Sequence, residues 1–290
     1  MLIPSRDRVE PDSYTRRREA IASQATGIGA APAEIDYLDE EHATWSDAMT
    51  LLDPIWERNA ALPLRSARHA LQLPGDHIPQ LSSVSERLED LTGFTYASVP
   101  AIVSRAEFFG ALSRAIFPST QFIRWAGNPL YTPAPDIMHE VSGHAISLAN
   151  EHLAELHRLL GRAGAATNSP ALLREIAHVF WYTAEFGVVR SRSGWKAYGA
   201  GLLSSPGELS WFAGHAEIRP LSIAEMIATP YDISRYQPVL FGVDSLEQVV
   251  DIAGRFCSDI ADRSDPWHEE RLVDLPDGTA ERSLGRSVSR

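Results

Sequence analysis

Two histidines five residues apart, in the segment His139-Glu140-Val141-Ser142-Gly143-His144, set a strict condition on this backbone. Histidines four apart share one helix face and can hold one ion. Five apart on a straight helix, the two rings diverge by about 140°. They reach a common ion only if the chain departs from a regular α-helix between them, and Gly143 is the residue that permits a departure. His152 and His157 have the same spacing in a charged helical stretch with no further ligand signal, and a solvated face is expected for them. The first pair differs because of Glu185, which lies in the apolar, aromatic run VFWYTAEFG at 179–187. A buried carboxylate is costly unless paired with a cation or bound to a metal, and the sequence alone leaves both open. Two neutral imidazoles and one carboxylate, with further positions open, form the facial triad of non-haem Fe(II) oxygenases. Trp181 stands one turn before Glu185, an indole wall suited to an aromatic substrate.

The surrounding pattern is mostly helical. Ala48, Leu51, Leu52, Ile55 and Trp56 recur at helical spacing from about Glu40, with a kink expected at Pro54. Amphipathic helices are expected over 78–92, 106–116 and 246–257, and a longer one over 170–187 ending at Gly187. Phe94 to Val99 alternates as a short strand does. Thr132-Pro133-Ala134-Pro135-Asp136 reads as a helix start, with Thr132 as cap and Asp136 at the positive end. There is no internal repeat and no Gly/Ser/Pro linker, so one mostly α domain with a few short β-strands is expected. At 290 residues such a domain buries enough surface to need no staples.

Composition removes several classes of function. The net charge of −12 opposes a general phosphate-binding role, so no nucleic-acid partner is expected. The single cysteine, Cys257, excludes an intrachain disulfide and a Cys-based zinc site. The arginine cluster near the N-terminus is not followed by an apolar stretch, so it is not a signal peptide. No run of 18 apolar residues exists, so no membrane partner is expected and a cytoplasmic location is.

Five segments carry a resemblance: EIDYLDEEHATW (34–45), IPQLSSVSERLEDLTGF (78–94), FIRWAGNPLYTPAPDIMHEVSGH (122–144), FWYTAEFG (180–187) and KAYGAGLLSSPGEL (196–209). With these the chain resembles the tetrahydropterin-dependent aromatic amino acid hydroxylases, most closely the short bacterial phenylalanine hydroxylases. The resemblance implies an N-terminal arm over 1–33, a single basket-like catalytic domain over 34–257 and a flexible C-terminal extension over 258–290. It implies Fe(II) held by His139, His144 and Glu185, a tetrahydropterin (tetrahydrobiopterin or a related bacterial pterin), O₂ as co-substrate and an aromatic amino acid as substrate. Arg124 matches the family's carboxylate clamp, with Asp136 holding its guanidinium. Thr132, Gly201 and Ser204 match positions lining the substrate site, and Pro135 and Trp181 match the walls around the ring. Phe108 matches the residue that stacks on the pterin, Phe109 its neighbour, and Glu140 a carboxylate between pterin and iron. The chain carries neither the regulatory domain nor the oligomerising helix of animal relatives, so a monomer is expected.

The chain also departs from the family's pattern. Trp125 stands where the family usually has His, and Val141-Ser142 where it prefers Leu followed by Phe or Leu. Phe180 replaces a Tyr beside the iron and pterin, and Gly242 replaces a larger apolar residue near the substrate ring. These changes surround the implied substrate pocket and spare the ligands, so the ring position hydroxylated, para or meta, is unsettled. Tryptophan hydroxylation is the alternative within the family. Outside it, a zinc hydrolase would use the same triad with Glu140 as base.

Overall fold

Each helix begins or ends where its residues dictate. In the computed structural model, which describes residues 10–129, 132 and 134–264, the chain opens with α1 (Asp12–Ala22), α2 (Asp39–Asn59), α3 (Leu62–Leu71) and α4 (Leu81–Thr92). α2 runs through Pro54 without interruption, and α4 stops at Gly93, whose φ of 76° favours glycine. β1 (Thr95–Ser98) is followed by α5 (Arg105–Leu112). The start of α5 is a capping box in which Ser104 Oγ accepts from the Glu107 N–H and Glu107 accepts from the Ser104 N–H. β2 (Ile116–Ser119) pairs in parallel with β1.

The centre of the chain contains two interrupted helices. α6 (Ile137–His139) passes into a π turn (Glu140–Ala145) and then into α7 (Ile146–Leu148). After α8 (Glu151–Ala165), α9 (Pro170–Phe180) passes into a second π turn (Trp181–Glu185). β3 (Val188–Ser191) and β4 (Gly194–Ala197) form a hairpin, followed by α10 (Ala200–Leu203), α11 (Pro206–His215), β5 (Glu217–Pro220) and α12 (Ile223–Ala228). β6 (Val239–Val243) and α13 (Leu246–Ser264) complete the described chain. The larger sheet has the order β4-β3-β6-β5, with β6 parallel to both β3 and β5.

α8 is the helix on which the others rest. It packs against α5 on one side and α13 on another. Gly161 and Gly164 make the α5 contact possible, because a Cβ on either would fall within 2.4 Å of Ser113 or 2.3 Å of Phe109. His157 lies inside this packing and is wholly buried among Phe94, Phe117 and Phe180. The expectation of a solvated face therefore holds only for His152, which is partly exposed and meets Glu247.

Two further expectations change, and part of the arm is described. The part of the 1–33 arm that is described is docked: Ile21 is buried, Tyr14 donates to the Ile123 carbonyl, and Arg17 grips Glu41 with two bonds. The helix before His139 begins at Asp136, which accepts from the His139 N–H at 3.1 Å, whereas Thr132 donates to the Ala134 carbonyl. α13 continues past Cys257 to Ser264; the remaining extension, 265–290, lies outside the described residues. No described helix is long and apolar enough to cross a membrane.

Candidate active site

The condition set by the His139–His144 spacing is met by the first π turn. A π turn closes hydrogen bonds between residues five apart, so it brings residue i+5 back over residue i. The two imidazoles accordingly lie 4.8 Å apart, centroid to centroid, with their planes at 86°. Gly143 serves in a different way from the one expected. It has no positive φ; a Cβ there would lie 2.6 Å from the Ala200 carbonyl oxygen, so it allows the π turn to lie on α10. The second π turn, closed by the Phe186 N–H on the Trp181 carbonyl, directs Glu185 at the same point. Glu185 reaches the His144 Nε2 at 3.0 Å and the His139 Nε2 at 3.7 Å. The ligand atoms of the three residues lie within 4.8 Å of one another.

The donor set fits a divalent cation. Burial pushes the His139 imidazole down to about 4, so it is neutral at pH 7 with a lone pair to give. Burial works to raise the Glu185 carboxyl, but the adjacent His144 and His139 outweigh it and hold it below the usual range, so the carboxylate is ionised. The tautomer of His139 follows from its other nitrogen. Ser204 Oγ donates to the Ala200 carbonyl at 2.9 Å, so it accepts from His139 Nδ1–H at 2.8 Å. That leaves Nε2 unprotonated and facing Glu185. Ser204, matched above to the substrate site, thus sits behind a ligand.

A cavity of about 230 Å³ opens from the three ligands. Among the matched residues, Glu140, Pro135, Phe180, Trp181, Phe108 and Phe109 line it. Phe108 is half-buried and edge-on to Phe109 and Phe180, whereas Phe109 is itself core, pressed on Gly164. Glu140 is buried, and burial with the nearby Glu185 and Asp136 charges keeps its carboxyl well above the ordinary range. Arg124 is buried with Asp136 in a bidentate pair, Nε to Oδ2 at 2.8 Å and Nη2 to Oδ1 at 2.7 Å. Burial opposes the ionised form of each, but the pairing prevails: Arg124 is raised and Asp136 lowered. Asp136 holds one edge of the guanidinium, Nη1 on the other side donates to the Pro129 carbonyl at 3.4 Å, and Arg124 lies off the cavity wall.

Other matched residues lie off the cavity wall. Gly201 lies under the Phe186 ring and the Glu185 carbonyl, where a Cβ would come within 2.7 and 3.1 Å. Gly242, on β6, turns toward Trp195 and Ile218, and a Cβ would meet Trp195 at 2.5 Å; the space left by the glycine is filled by that indole rather than given to the cavity. Trp125 folds over Gly127. Thr132 is tied to its own loop. Conversely, Tyr231 and the mouth residues Ile102, Val103 and Arg105 line the cavity. They belong to loops or a helix start, and no periodic pattern marks them. His157 had a signal: it falls on the stripe Leu153, Leu156, Leu160 and Gly164.

Comparison with known proteins agrees with this geometry. Residues 7–266 match the model of the biopterin-dependent aromatic amino acid hydroxylases. A phenylalanine 3-hydroxylase of Streptomyces coeruleorubidus is 42% identical over 248 residues, spanning 84% of this chain and 88% of that protein. Animal relatives are longer; the chain spans 62% of human phenylalanine-4-hydroxylase, at 29% identity. The apo structure of the cold-active phenylalanine hydroxylase of Colwellia psychrerythraea superposes with a TM-score of 0.74 at 30% identity, covering 82% of this chain and 91% of that one. The Chromobacterium violaceum enzyme holding iron(III) and 7,8-dihydrobiopterin gives 0.76 at 26% identity, covering 88% and 94%. Sequence match, fold and a partly buried His-His-Glu cluster coincide, and the chain belongs to the biopterin-dependent aromatic amino acid hydroxylase family.

Proposed function

We propose that this protein hydroxylates the aromatic ring of L-phenylalanine, placing oxygen at the meta position, with Fe(II), a tetrahydropterin and O₂. The observation that carries the reaction type is the convergence of two imidazoles and one carboxylate at the base of a largely apolar cavity. The 42% identity to a phenylalanine 3-hydroxylase supports the ring position. Held at the triad, Fe(II) with the reduced pterin supplies activation of O₂ for oxygen transfer to an aromatic ring.

The protein's own residues bind and orient. His139, His144 and Glu185 hold the metal, and Ser204 fixes the His139 tautomer. The Nη1 side of Arg124, which now meets the Pro129 carbonyl at 3.4 Å, receives the substrate α-carboxylate, while Asp136 keeps the guanidinium rigid. Pro135 and Trp181 bound the ring, and Phe108 offers a face to the pterin. Phe180 lies near-parallel to His144, ring centroids 6.3 Å apart, and adds an apolar wall beside that residue. A fixed ring between two anchors is what selects the carbon that reacts. The zinc hydrolase alternative fares worse, because the chain matches the biopterin-dependent hydroxylases over residues 7–266.

The test is anaerobic reconstitution with Fe(II), then addition of tetrahydrobiopterin, O₂ and a panel of phenylalanine, tyrosine and tryptophan, with products identified by mass and NMR. The expected main product is 3-hydroxyphenylalanine. Tyrosine as the sole product from phenylalanine overturns the ring position. Absence of any hydroxylated amino acid from iron-replete protein overturns the reaction.

A further inference from the structure

Trp181 is gripped more firmly than a cavity wall requires. Its ring lies between Tyr231, stacked at 4.3 Å and 15°, and Phe186 at 4.5 Å and 39°. With both faces covered, an edge of the indole is what reaches the cavity. Which edge it is depends on one hydrogen bond, from Nε1 to the Gln237 Oε1 at 3.3 Å.

Gln237 is buried, and every polar atom of its side chain is engaged. Its Nε2 donates to the carbonyls of Asp232, at 3.0 Å, and Arg235, at 2.8 Å. Two carbonyl acceptors on one side fix the amide so that its oxygen faces the indole. Its backbone N–H donates to Glu208 Oε1 at 2.6 Å, which ties the residue to α11. One side chain therefore closes the 232–237 loop, seats Tyr231 on Trp181 and fixes the indole by its Nε1. Trp181 in turn shares a π turn with Glu185. Tyr182 secures the start of the same loop by donating to the Pro230 carbonyl at 3.1 Å.

We propose that Gln237 is a positioning residue for the substrate ring: through Trp181 and Tyr231 it sets the slot in which the aromatic amino acid lies relative to the metal. This rests on the hydroxylation of an aromatic amino acid proposed above. A ring displaced by about 1 Å presents a different carbon, so the slot governs both affinity and ring position.

Gln237→Met keeps side-chain length and removes the amide. The expected result is at least a fivefold weaker calorimetric affinity of the Co(II)-loaded protein for L-phenylalanine, or at least a twofold shift in the ratio of meta to para product with Fe(II). Co(II) affinity and KM for tetrahydrobiopterin stay within twofold of wild type. Trp181→Phe cuts the same bond from the other side while keeping a ring, so it reads the same changes should Gln237→Met not fold. If both variants fold, the double variant is no worse than the weaker single one. Folded variants with unchanged affinity and product ratio overturn the positioning role, as does parallel weakening of metal, pterin and amino acid. A wild-type protein that neither binds nor hydroxylates any aromatic amino acid overturns the proposed function and this role with it.

Discussion

Removing the Ser204 hydroxyl separates metal affinity from fold stability. Ser204 is buried on the C-terminal side of α10, and its Oγ bridges the Ala200 carbonyl and His139 Nδ1. In Ser204→Ala the imidazole N–H loses the acceptor it has in the metal-binding tautomer. A buried donor left without a partner costs about 1–3 kcal/mol. The metal-free protein escapes part of that cost, because the proton can move to Nε2, on the side of the Glu185 carboxylate 3.7 Å away, leaving Nδ1 as an acceptor instead. Only the metal-bound form is confined to Nδ1–H. That part of the penalty therefore falls on metal binding, and losing such an outer partner weakens affinity by about 10–100-fold. A tenfold change is about 1.4 kcal/mol, so that range is about 1.4–2.7 kcal/mol and agrees with the hydrogen-bond figure. The assay is anaerobic Co(II) or Fe(II) competition against a chromophoric chelator, with thermal unfolding of the metal-free protein alongside. The expected result is a 10–100-fold rise in metal Kd with little change in the apo melting temperature. A folded variant with wild-type metal affinity and a raised KM for phenylalanine refutes the reasoning and returns Ser204 to the substrate wall.

Other outcomes follow from the same geometry. Glu185→Gln should abolish stoichiometric iron by elemental analysis, because an amide cannot offset the ion's charge; full iron occupancy would remove Glu185 from the ligand set. Arg124→Lys should raise KM for the amino acid by about 10–100-fold, the loss of a charged hydrogen bond of about 1.5–3 kcal/mol, with iron content unchanged. Burial raises the Glu208 carboxyl to about 8, so between its ordinary value of 4.5 and about 8 the unfolded chain releases a proton that the folded one keeps. Wild-type stability should then fall with rising pH across that window, by up to about 1.4 kcal/mol per unit, and level off above it. Glu208→Gln cannot ionise and should lack this fall; parallel pH profiles in chemical denaturation would show that Glu208 is not buried neutral.

The legible parts of the site were those in which spacing forces a consequence. His139 and His144 could not share an ion on a regular helix, and Glu185 could not sit unpaired in an aromatic run; those two statements made the three residues candidates, and the family resemblance joined them. The form of the departure was not legible, since a glycine between ligands suggests a conformational role and Gly143 instead permits contact with Ala200. His157 was misjudged because its charged neighbours dominate the local sequence, while the helix is buried along two sides. Tyr231 and Gln237 lie in a loop, where position is set by tertiary bonds that no periodicity reports. Gly242 shows the limit of analogy: its position in the chain matched, yet its neighbour Trp195 occupies the space in question.

The two π turns make the metal centre a matter of counting. Deleting any one residue between Glu140 and Gly143 would shorten the interval to four, at which an ordinary α-helix still keeps both histidines on one face, whereas inserting one would lengthen it to six and carry His144 off that face. After such an insertion every ligand would still be present in the sequence, and the set would no longer close. The second π turn places the same restriction on the interval from Trp181 to Glu185, and so on the distance along the chain between wall and ligand. Substitution scans leave these intervals untouched. Tolerance to deletion and insertion is the property that sets these two short stretches apart from equally buried helix elsewhere in the molecule.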